Sequence, residues 1–426
     1  MRSLLRSSCS MVALTCVSTI ACAEDWPEFR GPTNQGIVAS AELAAELPRQ
    51  WSAQENIDWR TELPGQGWSS PIVVGNSIIL TAAIPTDQTV DTDKPVYELT
   101  ALFLNARSGS IAKRIPLFVE EASAPKIHQK NSHASPTPVF DGQHVYVHFG
   151  HQGTACISPA GEVLWRNETL AYPPVHGNGG SPAVVDDLLI FSRDGANIAE
   201  VTALDKLTGK VRWQTTRDVE AKKQFSFCTP LLINAGDRRQ LILPGSNVVQ
   251  SLDPANGQEI WRVTYDGYSV IPRPIFEAGL VFICTGYDRP SLLAIDPTGV
   301  GDVTETHVKW REGSGIAHTP SLIGENGRIT TVSDNGIATS FDALTGKQLW
   351  KERIGGNFSA SPLLVGNHLY LLSEQGDCTI LDITNGPRQI AKNSIGERCL
   401  ASLAVVDRSL LLRSDKALYR IASSNP

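Results

Sequence analysis

The sequence has no Cys-x-x-Cys pair, no basic patch and no apolar stretch long enough to span a bilayer. The missing thiol pairs remove the commonest redox and zinc spacings, and the missing long apolar run removes a transmembrane helix. A net charge of −7 speaks against a nucleic-acid partner, and removing the first 23 residues, with Arg2 and Arg6 and no acids, deepens it to −9. Charged residues make up only 19%, against 41% hydrophobic with 35 Gly and 26 Pro. That balance argues against long helices and disorder, and for short strands separated by tight turns.

The first residues, "MRSLLRSSCSMVALTCVSTIACAEDW", combine a basic start, a short apolar core and small residues at Ala21 and Ala23. This is the pattern of a Sec-type signal peptide over residues 1–23, which predicts export to the periplasm or cell envelope. A second reading makes Cys22 a lipid-modified N-terminus, with Thr19 where a lipobox usually has Leu. Cys9, Cys16 and Cys22 fall in this segment, leaving Cys156, Cys228, Cys284, Cys378 and Cys399. An odd, scattered set is no disulfide framework, and apolar contexts such as "LVFICTG" predict buried thiols. A Cys378–Cys399 bridge is left open.

Against this background one phrase recurs. "LDKLTGKVRW" (Leu204 to Trp213), "LDPANGQEIW" (Leu252 to Trp261) and "FDALTGKQLW" (Phe341 to Trp350) share an apolar residue, Asp, Thr or Asn, Gly and Trp at fixed offsets. The Asp can accept bonds from turn N–H groups, the Gly supplies a left-handed backbone, and the Trp begins a return strand where it can pack on a neighbouring unit. Trp165, Trp213, Trp261 and Trp310 are spaced by 48, 48 and 49 residues, which marks a repeat architecture.

A second marker sets the phase: a small residue and a Pro before an apolar run, at Pro71, Pro136, Pro182, Pro230, Pro274, Pro320 and Pro362, with Leu403 in the eighth place. Eight units of four short strands predict an all-β, eight-bladed propeller of antiparallel blades. The last unit lacks its Trp strand, and "NIDWRTELP" near the start has a Trp strand without a unit, so Trp59 is expected to complete the last blade and close the ring. This divides the chain into a signal peptide, a leader over residues 24–50 that docks through Trp26 and Arg30, and a propeller over residues 51–426. Insertions at Ala82 to Tyr97 and Leu117 to Asn131 break the repeat.

The Asp-x-x-Thr-Gly-x-x-x-Trp phrase resembles the pyrroloquinoline-quinone (PQQ)-like β-propeller repeat family, across about residues 50 to 423. "DWPEFRGPTNQGI" is similar to the entry segment of an exported bacterial subgroup, itself compared with the lipoprotein B subunit of the outer-membrane β-barrel assembly machinery. The resemblance implies the fold; the function expected with it is a non-enzymatic envelope scaffold for protein–protein interaction or ligand binding, with an envelope protein or peptide segment as partner, monomeric and without bound cofactor. Its other branch implies a quinone- or metal-dependent periplasmic oxidoreductase, which would need PQQ over a vicinal disulfide, a calcium ion and a catalytic Asp. This chain has no Cys-Cys dipeptide and no haem-attachment motif.

Residues that precede the prolines should converge on one mouth of the channel. They give Trp68, His133, His176, Asn178, Arg273, His318, Asn357 and Arg398 as candidate binding residues, and no catalytic or metal set. The alternative role for these groups is to bond loop backbones and channel water. His133, His176 and His318 are the histidines that could ligate a metal, and Glu397, Glu312 and Asp266 the acids that could serve a hydrolase; neither set has a diagnostic spacing. In "HVYVHFGH", alternation puts His144, Tyr146 and His148 on one face of a half-buried strand, which is a structural pattern rather than a ligand set.

Overall fold

The computed structural model describes residues 25–38, 40–87, 95–121 and 126–423. The export signal and the Cys22 alternative lie outside these residues. Eight antiparallel sheets follow one another around a ring, and blades 1 to 7 each run from inner to outer strand in chain order. Blade 3 is typical, with strands Ala183–Val185, Leu188–Asp194, Ala199–Asp205 and Val211–Thr216. The eighth blade takes Ala404–Val406, Ser409–Arg413 and Ala417–Ala422 from the end of the chain and Ile57–Glu62 from its beginning. Trp59 pairs with Arg420 there, as the broken repeat predicts.

The recurring phrase is the outer fastening between blades. Asp205 Oδ1 accepts from the N–H groups of Leu207 and Thr208, and Asp342 Oδ1 does the same for Thr345. The turn closes on Gly209, Gly257 or Gly346, at φ of 69°, 74° and 71°. The Trp of the preceding blade lies flat on this Gly: a Cβ on Gly257 would meet the Trp213 ring at 2.4 Å. Its indole N–H then reaches a turn carbonyl, Trp165 to Lys206 at 3.0 Å, Trp213 to Pro254 at 3.3 Å and Trp310 to Ala343 at 2.9 Å. Trp59 repeats this on Gly109 and Ala106, so the same clasp fastens the last blade to the first.

Trp261 departs from the pattern. The segment between the last two strands of blade 5 lays Gly301–Asp302 alongside Glu259–Thr264, giving blade 4 a fifth strand. Trp261 is buried beneath it and donates to Gln240 Oε1 at 2.7 Å instead.

At the inner end, the small residue before each strand has a different task. The backbone N–H of Ser70 donates to the Thr137 hydroxyl, Thr137 to Ser181, Ser181 to Thr229, Arg273 to Ser321, Ser321 to Ser361, Ser361 to Ser402 and Ser402 back to Ser70, all at 2.9–3.1 Å. Seven hydroxyls thus stitch the inner strands into a ring. The eighth place belongs to Arg273, whose Nε reaches back to the carbonyl of Pro230. This corrects two phase markers. In blade 2 the ring residue is Thr137 before Pro138, and in blade 6 it is Ser321 before Leu322, so Pro136 and Pro320 sit two residues too early. The ring selects a hydroxyl, and the proline only tends to follow it.

Blades stack face to face, so their middle strands are buried on both sides. Val145–His148 is buried throughout, not half-buried as its alternation suggested. Val145 and Val147 pack with Phe103 and Ile115 of blade 1, while Tyr146 meets Leu189 and Phe191 of blade 3. His148 bonds Thr154 Oγ1 at 2.8 Å and lies against Phe191. All five described cysteines are buried free thiols, Cys378 and Cys399 among them.

Candidate functional site

The leader stops one end of the channel. Trp26 exchanges backbone bonds with Val73 of blade 1, the Pro27 carbonyl accepts from Phe140 of blade 2, and Ile37–Val38 adds a parallel strand to the inner edge of blade 7. Between these points, Glu28 pairs with Arg273 of blade 5 at 3.0 Å, and Arg273 Nη1 also donates to the Phe29 carbonyl at 2.9 Å. Arg30 is 2% exposed and donates to the Gln35 carbonyl; burial, with Arg273 nearby, works against its charge. Trp26 therefore binds the leader to the propeller, and Arg273 is the propeller's own grip on it, whereas the side-chain bond of Arg30, to Gln35, stays within the leader.

Above Phe29 the channel opens into a blind cavity of about 710 Å³. Its lower wall is the ring of seven hydroxyls, all of which line it. Each hydroxyl oxygen already accepts a backbone N–H. Higher up, one side carries an arc of six rings, His128, His176, Phe225, Tyr268, Tyr287 and His318, with successive centroids 5.2–5.9 Å apart and most pairs edge to face. His176 and Ser269, both on this wall, hold left-handed backbones at φ of 65° and 55°. Burial, aided by His128 and Lys223, pushes the His176 pKa below its ordinary value.

The arc starts on a strap, residues 126–131 from the insertion between blades 1 and 2, which carries His128 and reaches across to Glu374 and Arg398. The Lys130 ammonium pairs with Glu374 of blade 7 at 2.7 Å, the Gln129 carbonyl accepts from Arg398 at 2.9 Å, and Asn131 Nδ2 donates to the His176 carbonyl. Arg398 also lies over the Trp68 ring at 5.4 Å. Below the strap, Glu120 takes contacts from His133 at 3.3 Å, His151 at 3.2 Å and Gln152 at 2.7 Å. Burial raises the Glu120 pKa, yet the bonds from the two histidines outweigh this and leave it at about 2.

The structure therefore divides the eight expected residues. Trp68, His176 and His318 line the cavity, Arg398 covers Trp68 at its edge, and Asn357 is exposed on the rim. His133 belongs to the Glu120 network. Asn178 is buried behind the wall, bonded to Tyr172, Phe149 and His151. Arg273, expected at the mouth, lies at the stopped end. Reading backwards from the prolines missed Phe225, Tyr268, Tyr287 and His128, which come from loops of unequal length. Phe225, four residues before the ring hydroxyl of Thr229, had the same kind of position as His176 before Ser181; Tyr287 and His128 had no such signal.

The cavity does not fit the quinone chemistry of the resembling enzymes. Its only lining carboxylate among the described residues is Asp334, and that group already accepts from the N–H groups of His318 and Thr319 and from the Thr319 hydroxyl. No two cysteines are adjacent, and no three His, Cys, Asp or Glu side chains gather as a metal set among the described residues. His133, His176 and His318 are not brought together. Of the suggested hydrolase acids, Glu397 is held by Arg60 and Ser414, and none of Glu397, Glu312 and Asp266 lines the cavity.

The fold and site define a closed eight-bladed repeat propeller whose channel is stopped at one end and ringed by aromatic side chains at the other. The family model described as Outer membrane protein assembly factor BamB matches residues 103–325 and 245–418, and the chain belongs to that family. Among curated relatives, the assembly factor BamB of Yersinia pestis is 25% identical over 219 residues, covering 46% of this chain and 52% of its own. That of Moranella endobia is 22% identical over 280 residues, covering 61% and 67%. The chain thus spans about half the length of the Yersinia pestis protein. Among solved structures, BamB from Moraxella catarrhalis superposes with a TM-score of 0.55 at 14% identity, covering 82% of this chain and 98% of that one. The quinohemoprotein alcohol dehydrogenase of Comamonas testosteroni gives 0.63 at 12% identity, covering 95% and 81%. At such identities the superpositions speak to the fold alone.

Proposed function

We propose that this protein is an exported, non-enzymatic propeller scaffold of the cell envelope that docks an extended segment of a partner protein across its channel mouth. The observation that carries this reading is the arc of six rings, a large preorganised contact surface around an open mouth whose far end is stopped. Aromatic side chains on short loops give contact area at low ordering cost. Family membership supports the envelope location, and the names of the relatives describe assembly rather than catalysis. The fold also accepts added strands in parallel, as blade 4 does from Gly301–Asp302 and blade 7 from Ile37–Val38.

A photo-crosslinking residue in place of Tyr287, on the arc, and another in place of Leu344, on the outer turn of blade 6, would be compared in the native envelope. A discrete protein adduct from position 287 and none from position 344 is expected. Equal labelling at both positions, or none at 287, removes the mouth from the interface.

A further inference from the structure

We infer that the blind cavity beneath the mouth is a small-molecule site in its own right, and that its ligand is a neutral saccharide of two or three rings. The volume, about 710 Å³, lies within the range of roughly 300–1,000 Å³ that small-molecule pockets occupy. Two kinds of surface meet in it at different depths. Each hydroxyl of the ring at the bottom accepts one backbone N–H, which orients it and leaves its O–H proton and a second lone pair for a ligand rich in hydroxyl groups. The arc above offers aromatic surface to a ligand that also has C–H faces. A saccharide ring carries both, hydroxyls around its edge and C–H groups on its faces.

Charge decides against ionic ligands. Lys130 is paired with Glu374, Asp334 is enclosed by its own loop, and Arg273 is engaged by Glu28. Lys223 is tied to the Tyr268 hydroxyl at 2.6 Å, which in turn donates to Asp288 at 3.3 Å. A cationic ligand would lose its hydration and meet no free acid among the described residues of the cavity, and a carboxylated one would meet only the exposed Lys223 ammonium, already held by the Tyr268 hydroxyl. A neutral polyol meets donors and rings.

This inference is independent of the docking reading. The mature full-length protein would be titrated with maltotriose, cellotriose, tri-N-acetylchitotriose, trigalacturonate and trialanine, followed by calorimetry and by the fluorescence of Trp68 in a Trp68→Phe difference experiment. At least one neutral trisaccharide is expected to bind with a dissociation constant below about 1 mM and to outcompete trigalacturonate by about tenfold or more. Tyr287→Ala and Phe225→Ala should each weaken it about three- to tenfold, and Tyr287, being 55% exposed, can be removed without threatening the fold. No binding of any neutral saccharide, tighter binding of trigalacturonate or trialanine, or affinity unchanged in the Tyr287→Ala and Phe225→Ala double variant would each overturn the assignment. Saccharide binding without a protein adduct at position 287 would leave it standing and remove only the docking reading.

Discussion

The two ends of the channel are built on opposite terms. At the stopped end the buried Arg273 is matched by Glu28, and leader carbonyls and N–H groups are taken up by blades 1, 2, 5 and 7. At the open end most of the rings touch one another edge to face, and Lys130 and Lys223 are each held at the rim. Removing a member of the first set strands its partner; removing a member of the second exposes a neighbouring ring. The difference separates what holds the molecule together from what it can offer to others.

The largest effect should come from Arg273→Ala. It leaves the half-buried Glu28 without its partner and the Phe29 and Pro230 carbonyls without their donor, which costs on the order of 3 kcal/mol. Urea unfolding should report that loss, and limited proteolysis should cut within residues 28–36. A leader still protected at unchanged stability would mean that the pair is not what fixes the stopped end.

Next is Gly257→Ala on the outer clasp, where a Cβ would stand 2.4 Å from the Trp213 ring at φ of 74°. A loss of about 1–3 kcal/mol is expected from the strained backbone alone. Gly142→Ala, at φ of 93° with open space around its Cβ, separates backbone strain from the clasp. Equal losses in the two variants would show that the indole contact adds nothing.

Acid should weaken the blade interior in a defined window. Burial, with Arg193 and His151 nearby, pushes His148 down to about 3, from an ordinary 6.5. Its contribution is fully present above pH 6.5 and is lost as pH falls toward 3, because there the unfolded chain takes up a proton that the native ring refuses. The slope from this one group is up to about 1.4 kcal/mol per pH unit. His148→Leu should flatten that part of the stability profile between pH 6.5 and pH 4.5; an unaltered slope would assign the acid sensitivity elsewhere.

The smallest change belongs to the mouth. Tyr287→Ala should alter stability by less than about 0.5 kcal/mol while weakening whatever binds there. A larger destabilisation would erase the contrast between the two ends.

Much of the fold was legible because its fastenings repeat. The Asp, Gly and Trp of the clasp sit on one strand, turn and return strand, so their spacing survives in the sequence; so does the orphan Trp59 that closes the ring. The inner ring was half legible. Its hydroxyl is a small, common residue, and a second proline in "SPTP" and a Thr-Pro in "HTPS" drew the phase two residues early. The mouth was least legible. Lys130 meets Glu374, and Arg398 meets Gln129, across more than two hundred residues. No periodicity constrains such loops, so Tyr268 and Tyr287 carry no mark in the repeat that distinguishes a wall residue from any other aromatic.

The strand exchange that completes the eighth blade also sets a timetable. Ile57 can find Ile421 only when nearly the whole chain has emerged, and until then Ile57–Glu62 has no sheet to join. Seven blades can form in sequence as local units, but the last joint is the most distant contact in the molecule and must be made across the full contour of the chain. The leader just ahead of that strand is bonded to blades 1, 2, 5 and 7, so its floor needs those four blades held in one ring. A nascent or C-terminally shortened chain would therefore lose the ring, the stopped floor and the cavity together, which makes integrity of the last strand a checkpoint for all three.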